Sequence, residues 1–245
     1  MHRIFYDGII APDSLVTVSG EDAIHLSVSM RSRVGDSVEI CDSEKTVFVC
    51  TVTGFTKSTV TLKSDGGRPS DEEPSVKLSL YVGLPKNDKL ELIIQKATEL
   101  GVAEIIPFVS ERTVAKPNPD KIGRLRKIAR EAAGQCARGE IPYVSEPLSF
   151  EAAMKRGLEA ALPLFCHEGE GTIPLSKLIL GKEMTSVSIF TGPEGGFSKN
   201  EFDKAGIMGY NLVGLGRRIL RCETAPLAAA AAVMLFEVVR QRIGD

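Results

Sequence analysis

The apolar and polar positions change their rhythm once along the 245-residue chain. In the first part, "SVEICD", "TVFVCTVTGF" and "STVTLK" alternate or cluster β-branched residues between turn-like breaks, the pattern of a small antiparallel sheet or barrel. Residues 1–70 therefore read as all-β. At "SDGGRPSDEEP", Ser64 to Pro74, glycine, proline and acidic residues gather without apolar periodicity, which marks a linker. Beyond it the rhythm becomes strand, helix, strand. "VKLSLYVGL" is followed by "NDKLELIIQKATELG", in which Leu90, Ile93, Ile94, Ala97 and Leu100 share one helical face between Asn87 as a cap and Gly101 as a stop. "AEIIPF" reads as a second strand and "DKIGRLRKIAREAAGQCAR" as a second helix. The apolar runs "ALPLFC", "SVSIF" and "NLVGL" follow, and an Ala-rich helix closes the chain. Residues 74–245 thus read as an α/β domain with a parallel sheet covered on both faces.

In such sheets ligands sit outside the carboxyl ends of the strands. Three of those ends carry chemistry: "CHEGEG", "TGPEGG" and "GLGRRILRCETAP". In "SIFTGPEGGFSKNE" an apolar run breaks into Gly192-Pro193-Glu194-Gly195-Gly196, and Ser198 with Glu201 then forms a capping-box pattern. A strand, a glycine turn and a helix N-terminus follow in order. The next loop repeats the logic, with Thr224 near an N-cap and Pro226 in the first helical turn. Neither a Gly-x-x-x-x-Gly-Lys-Ser/Thr loop nor a Gly-x-Gly-x-x-Gly loop with an acid about twenty residues on is present. A carboxylate at Glu194 repels the phosphates that a helix N-terminus attracts, so a positively charged cofactor without phosphate suits the turn better. S-adenosylmethionine, a sulfonium, meets that description.

Composition narrows the setting. A net charge of −2 argues against a protein coated in positive charge for indiscriminate nucleic-acid binding, while a local basic patch stays open. The five cysteines are odd in number and form no Cys-x-x-Cys pair, so neither a disulfide framework nor a zinc site is signalled, and a reduced cytoplasmic setting is expected. His2, His25 and His167 are scattered, and no metal is expected. "MHRIFYDGII" lacks the apolar core and cleavage site of a signal peptide. "TAPLAAAAAVMLF" is shorter than the roughly 18 to 20 residues of a membrane span, so no membrane partner is expected.

"TGPEGGFSKNE" together with "LGRRILRCETA" resembles the ribosomal RNA small-subunit methyltransferase E family, the 16S uridine-N3 methyltransferases of the SPOUT, or trefoil-knot, superfamily. The resemblance runs along nearly the whole chain. "LPKNDKLELIIQKATELGVAEIIPFVSERTV" is similar to the family's first block. Arg3, Phe5, His25-Leu26, Met30-Arg31 and Gly35-Asp36 fit its PUA-like N-terminal domain. The chain departs from the family in two places. Gly134-Gln135-Cys136-Ala137-Arg138 lacks the acid of the usual Glu-Gln-x-Gly-Arg, and Ser29 and Met30 replace two apolar residues.

The resemblance implies a trefoil-knot α/β domain behind a PUA-like β-barrel, acting as a homodimer on 16S rRNA of the small subunit. It implies that S-adenosylmethionine is held by His167 and Glu168, by Thr191, Gly192, Pro193, Glu194, Gly195 and Gly196, and by Leu215, Gly216, Ile219, Leu220, Thr224 and Ala225. Arg221 is expected to stabilise charge developing on uracil, and Glu223, or a water it orients, to take the N3 proton. Arg3, Arg31, Arg33, Arg112, Lys116 and Arg138 are the expected RNA contacts, with Arg31 and Arg138 foremost, while Lys121, Arg124, Lys127 and Arg130 read as a solvated helix face. Two other readings stand beside this one: a SPOUT ribose 2′-O-methyltransferase, and a non-catalytic RNA-binding assembly factor.

Overall fold

The computed structural model describes residues 3–180 and 184–244, and the side chains among them up to Glu237. Its backbone separates into two compact units, residues 1–73 with 133–140, and residues 74–132 with 141–245.

The first unit is a five-stranded sheet. Its strands are β1 (Arg3–Phe5), β2 (Leu15–Ser19), β3 (Ser37–Cys41), β4 (Thr46–Phe55) and β5 (Thr59–Pro69), in the order β1-β3-β4-β5-β2. All pairings are antiparallel except β1 with β3. Strand alternation works as expected: in β2, Val16 and Val18 are buried while Leu15, Thr17 and Ser19 face out. They join Ile40, Phe48, Val52, Val60 and Leu62 in one core.

Two expectations fail here. A short helix, α1 (Gly20–Ile24), runs on into a wide turn over His25–Ser29, so this part is not all-β. The expected linker is largely strand, because β5 continues through Gly66 and Gly67 to Pro69, opposite Thr46–Phe48. Glycine at 67 has a physical reason: a Cβ there would lie 2.6 Å from the Phe48 ring.

The second unit has an eight-stranded parallel sheet. In chain order it comprises β6 (Lys77–Gly83), α2 (Lys89–Glu99), β7 (Glu104–Val109), α3 (Ile122–Gln135), β8 (Tyr143–Val144), β9 (Leu148–Ser149) and α4 (Phe150–Gly157). It continues with β10 (Leu162–Cys166), β11 (Ile173–Pro174), α5 (Leu175–Ile179), β12 (Ser186–Thr191), α6 (Lys199–Met208), β13 (Asn211–Gly214) and α7 (Thr224–Gly244). The strand order is β11-β13-β10-β12-β6-β7-β8, with β9 also on β7.

Both faces are covered, and by different side chains. Alternation along the strands sends Leu80, Ile105, Leu164, Val187 and Ile189 to an aliphatic layer shared with Ile93 and Ile94 of α2 and Ala229, Ala230 and Val233 of α7. The intervening positions Tyr81, Phe108, Phe165 and Phe190 form an aromatic layer with Phe150 and Met154 of α4 and Ala205 of α6. Within that layer Tyr81 and Phe190 stack with centroids 4.2 Å apart. The small side chains of α7 let it lie close on the sheet, which is the use of the Ala-rich run. Asn87 is not the cap of α2: it sits at φ 58° ahead of the helix, and Asp88 takes the N-cap position without a side-chain cap bond. Gly101 ends that helix at φ 86°, as expected.

Candidate functional site

Parallel pairing aligns the carboxyl ends of β10, β12 and β13, and the loops leaving them line one cavity of about 390 Å³. His167 and Glu168 come from the first loop, Thr191, Gly192, Pro193, Glu194 and Gly196 from the second, and Leu215, Gly216, Ile219, Leu220, Arg221 and Ala225 from the third. Of the residues expected around a cofactor, Gly195 and Thr224 are not part of this lining. Gly195 turns its carbonyl to Arg112, whose Nη1 donates to it at 3.1 Å. Thr224 opens α7, its N–H bonded to the Arg221 carbonyl at 2.9 Å.

The shape of the glycine turn follows from contacts that admit no side chain. Gly196 lies at φ 64°, in the left-handed region, and a Cβ on Gly192 would come within 3.0 Å of the Gly196 backbone. The turn is held from outside at Gly83, the last residue of β6, where a Cβ would stand 2.5 Å from the Pro193 nitrogen. Behind the turn, the capping box forms as expected: Ser198 Oγ accepts from the Glu201 N–H at 3.2 Å, and Glu201 Oε2 accepts from the Ser198 N–H at 2.8 Å. The other oxygen of Glu201 accepts from the Glu111 N–H at 2.8 Å, which ties the loop after β7 to the start of α6.

The electrostatics of the site centre on a residue that the sequence pattern assigned only to a helix. Lys89, in the first turn of α2, places its Nζ 3.0 Å from Glu194 Oε1, 3.4 Å from Glu223 Oε2 and 3.5 Å from Cys222 Sγ. Glu194 Oε1 also accepts from the Lys86 N–H at 3.0 Å. The Glu194 carboxylate is therefore not an open negative charge in the turn, as its position in the sequence implied, because Lys89 already balances it. Burial alone would raise its carboxyl, but the bonds from Lys89 and from backbone N–H groups outweigh that and hold it below the ordinary range. Glu223 is also held low, chiefly by a backbone hydrogen bond, against burial, with further donation from Cys222 and Lys89. The Cys222 thiol is pushed up to about 11 by burial and by its bond to Glu223, so it is a neutral donor at Sγ to Oε2 3.2 Å. Lys89 itself is raised by Glu194 above all.

Two polar groups point to a ligand. His167 Nδ1 is buried with no hydrogen-bond partner among the described residues, Glu168 standing 3.8 Å away, beyond bonding distance. The ring rests on Phe202 at 4.5 Å, which fixes its direction. Arg221 lies at the cavity wall with its side chain 86% exposed and Nη1 3.9 Å from Glu223 Oε1.

The expected RNA contacts divide. Arg31, at φ 53°, and Arg33 are exposed, as is Arg112. Arg3 is not available: its guanidinium is 1% exposed and bound to Glu39 at 3.0 Å and Glu72 at 2.9 Å. Arg138 is also buried and paired with Glu73 at 2.5 Å, while Glu73 Oε1 accepts from the N–H groups of Gly139 and Glu140. Both arginines hold the first unit together rather than present charge to RNA, which corrects the expectation for each. In the segment where the family's usual acid is missing, Gly134 and Arg138 are buried while Gln135 between them is exposed.

Among the described residues no group of three or more His, Cys, Asp or Glu is placed to hold a metal ion, and no helix is long and apolar enough to cross a membrane. A family described as "RNA methyltransferase domain" matches residues 71–234, which include every loop of the site. The ribosomal RNA small subunit methyltransferase E of Bacillus subtilis is 34% identical over 226 residues, covering 89% of this chain and 88% of its own. That of Synechocystis is 31% identical, covering 93% and 77%. The solved structure of the Neisseria gonorrhoeae ribosomal RNA small subunit methyltransferase E bound to S-adenosyl methionine superposes with a TM-score of 0.86 at 28% identity, over 96% of this chain and 97% of that one. With a relative 34% identical over most of both chains and the RNA methyltransferase domain matched across residues 71–234, the chain belongs to the ribosomal RNA small subunit methyltransferase E family.

Proposed function

We propose that this protein transfers the methyl group of S-adenosylmethionine to N3 of a uridine in the 16S ribosomal RNA of the small subunit. The observation that carries the reading is the convergence of three strand-end loops on one cavity of about 390 Å³, within the size range of pockets for cofactor-sized ligands. The residues present fit that cofactor. Leu215, Ile219 and Leu220 offer an apolar wall for adenine, Gly192 and Gly196 allow close approach of the backbone, and the orphaned His167 Nδ1 offers a bond to a polar group.

When bound, S-adenosylmethionine supplies an electrophilic methyl group on a sulfonium. The chain's own residues then have two tasks, alignment of the base and removal of the N3 proton. Arg221, exposed at the cavity wall, donates to the uracil oxygen on which negative charge develops, as a fixed donor does in an oxyanion hole. Glu223, ionised at neutral pH, accepts the proton directly or through a water. Lys89 holds Glu194 and Glu223 in place from the side of α2.

The same reading includes a first unit that acts as a PUA-like barrel on RNA through Arg31 and Arg33, with Arg112 as a further contact. It includes a C-terminal segment threaded as a trefoil knot, as the family resemblance implies. It also includes a cytoplasmic location and a homodimer, the dimer supported by the exposure of Ile219 at 82% and Leu235 at 65%.

Thermal melting with S-adenosylhomocysteine tests the reading. A concentration-dependent rise in Tm, absent with ATP and NAD, is expected. No shift at any concentration contradicts a cofactor site in this cavity.

A further inference from the structure

A second cavity, of about 420 Å³, opens beside the first, formed by the segment after β6, the loop after β7 and the start of α3. We propose that it binds a nucleotide of the RNA strand next to the one presented for methylation, its phosphates held by Lys86, Lys116 and Lys121 and its base laid on Val114. The inference rests on the proposed RNA methyltransferase reading and adds a binding site to it.

Three observations support the assignment. The lining carries three lysines and a single acid, Glu91, which is already matched by Arg124 at 2.8 Å. Among the described residues none of the three lysine ammonium groups has an ion-pair partner, so this cavity has a positive charge excess in a chain whose net charge is −2. The floor is apolar, and Val114 stands 70% exposed within this basic setting, a surface suited to the face of a base rather than to water. Finally, the two cavities share one segment. The Lys86 N–H bonds Glu194 and the Lys89 side chain lines the first cavity, while the Lys86, Asn87 and Leu90 side chains line the second. A strand whose target base is presented at the mouth of the cofactor cavity therefore runs on past this shared segment toward the second.

The test is the charge-reversed variant K116E/K121E, which leaves Lys86 and its bond to Glu194 untouched. Both side chains are exposed, so folding is retained. Two quantities are measured for it and for the parent: the affinity for a fluorescein-labelled single-stranded RNA 12-mer at several salt concentrations, and the affinity for S-adenosylhomocysteine by calorimetry. RNA affinity should fall at least tenfold near 0.1 M salt, and the slope of log affinity against log salt should become shallower by at least about one. Cofactor affinity should stay within about twofold. Unchanged RNA affinity and slope, with cofactor binding intact, overturn the proposal. Loss of cofactor binding in the parent instead overturns the reading it rests on. A V114S variant separates base stacking from charge: weaker RNA binding with an unaltered salt slope is expected, and an unaltered affinity removes Val114 from the site.

Discussion

Lys89 and Glu194, 105 residues apart in the chain, meet with Nζ and Oε1 3.0 Å apart and join α2 to the glycine turn after β12. Because Glu223 lies on the same ammonium, the lysine couples the glycine turn proposed to hold the cofactor to the loop that carries the proposed base. Groups that share one partner do not act independently. In calorimetry with S-adenosylhomocysteine, Lys89→Ala and Glu194→Ala should each weaken binding by roughly three- to tenfold, and the double variant should bind no more weakly than the poorer single. Additive losses would show that the two residues work separately.

Gly83 sets the position of the same turn from the strand side. With a Cβ only 2.5 Å from the Pro193 backbone nitrogen, Gly83→Ala must push the turn aside, at a cost of about 1–3 kcal/mol in stability and at least tenfold in cofactor affinity. Gly123→Ala is the matched control, since nothing lies within 4 Å of its added Cβ in the exposed face of α3. That change should raise stability by about 0.5–1 kcal/mol and leave cofactor affinity unaltered. Chemical denaturation and calorimetry on both variants check this.

Arg221 is mostly exposed and makes only a long contact to Glu223, so its removal should leave the fold and the cofactor site intact. Arg221→Ala is expected to lower kcat by about a hundredfold with cofactor affinity unchanged. A full methylation rate in that variant would remove Arg221 from the chemistry.

Acid stability should depend on the first unit's buried ion pair. Glu72 is held well below its ordinary value of 4.5 by the hydrogen bond from Arg3, against burial, with Ser70 and Arg68 adding to the effect. Since the folded value is the lower one, the stabilisation is fully present above about pH 4.5 and is lost as pH falls through the folded value. Glu72→Gln should therefore melt well below the parent at pH 7, by about 2 kcal/mol with Glu39 still on Arg3, and the gap should close toward pH 2. A gap that stays constant across melts from pH 2 to pH 7 would contradict the pairing.

Much of the second unit was legible because its signals are local. The β12 run, the glycine turn and the capping box of Ser198 and Glu201 lie within sixteen consecutive residues, and each states its own geometry. The positions that misled depend on partners far along the chain. Arg3 and Arg138 read as surface charge until Glu39, Glu72 and Glu73 are brought against them. Lys89 reads as the solvated edge of an amphipathic helix until Glu194 and Glu223 arrive from more than a hundred residues away. Gly83 is one more glycine at a strand end until Pro193 packs on it. Strands β8, β9 and β11 have two residues each, too short to carry any period. Gly67 of β5 is required by the Phe48 ring across the ladder, which no local pattern announces.

The central claim is the reaction itself. It is tested most directly by incubating the purified protein with labelled S-adenosylmethionine and small ribosomal subunits that lack the modification, then identifying the labelled nucleoside by mass spectrometry. The account predicts 3-methyluridine in the small-subunit RNA, dependent on Arg221. Label that appears as a ribose methyl, or that never leaves the cofactor, would contradict it.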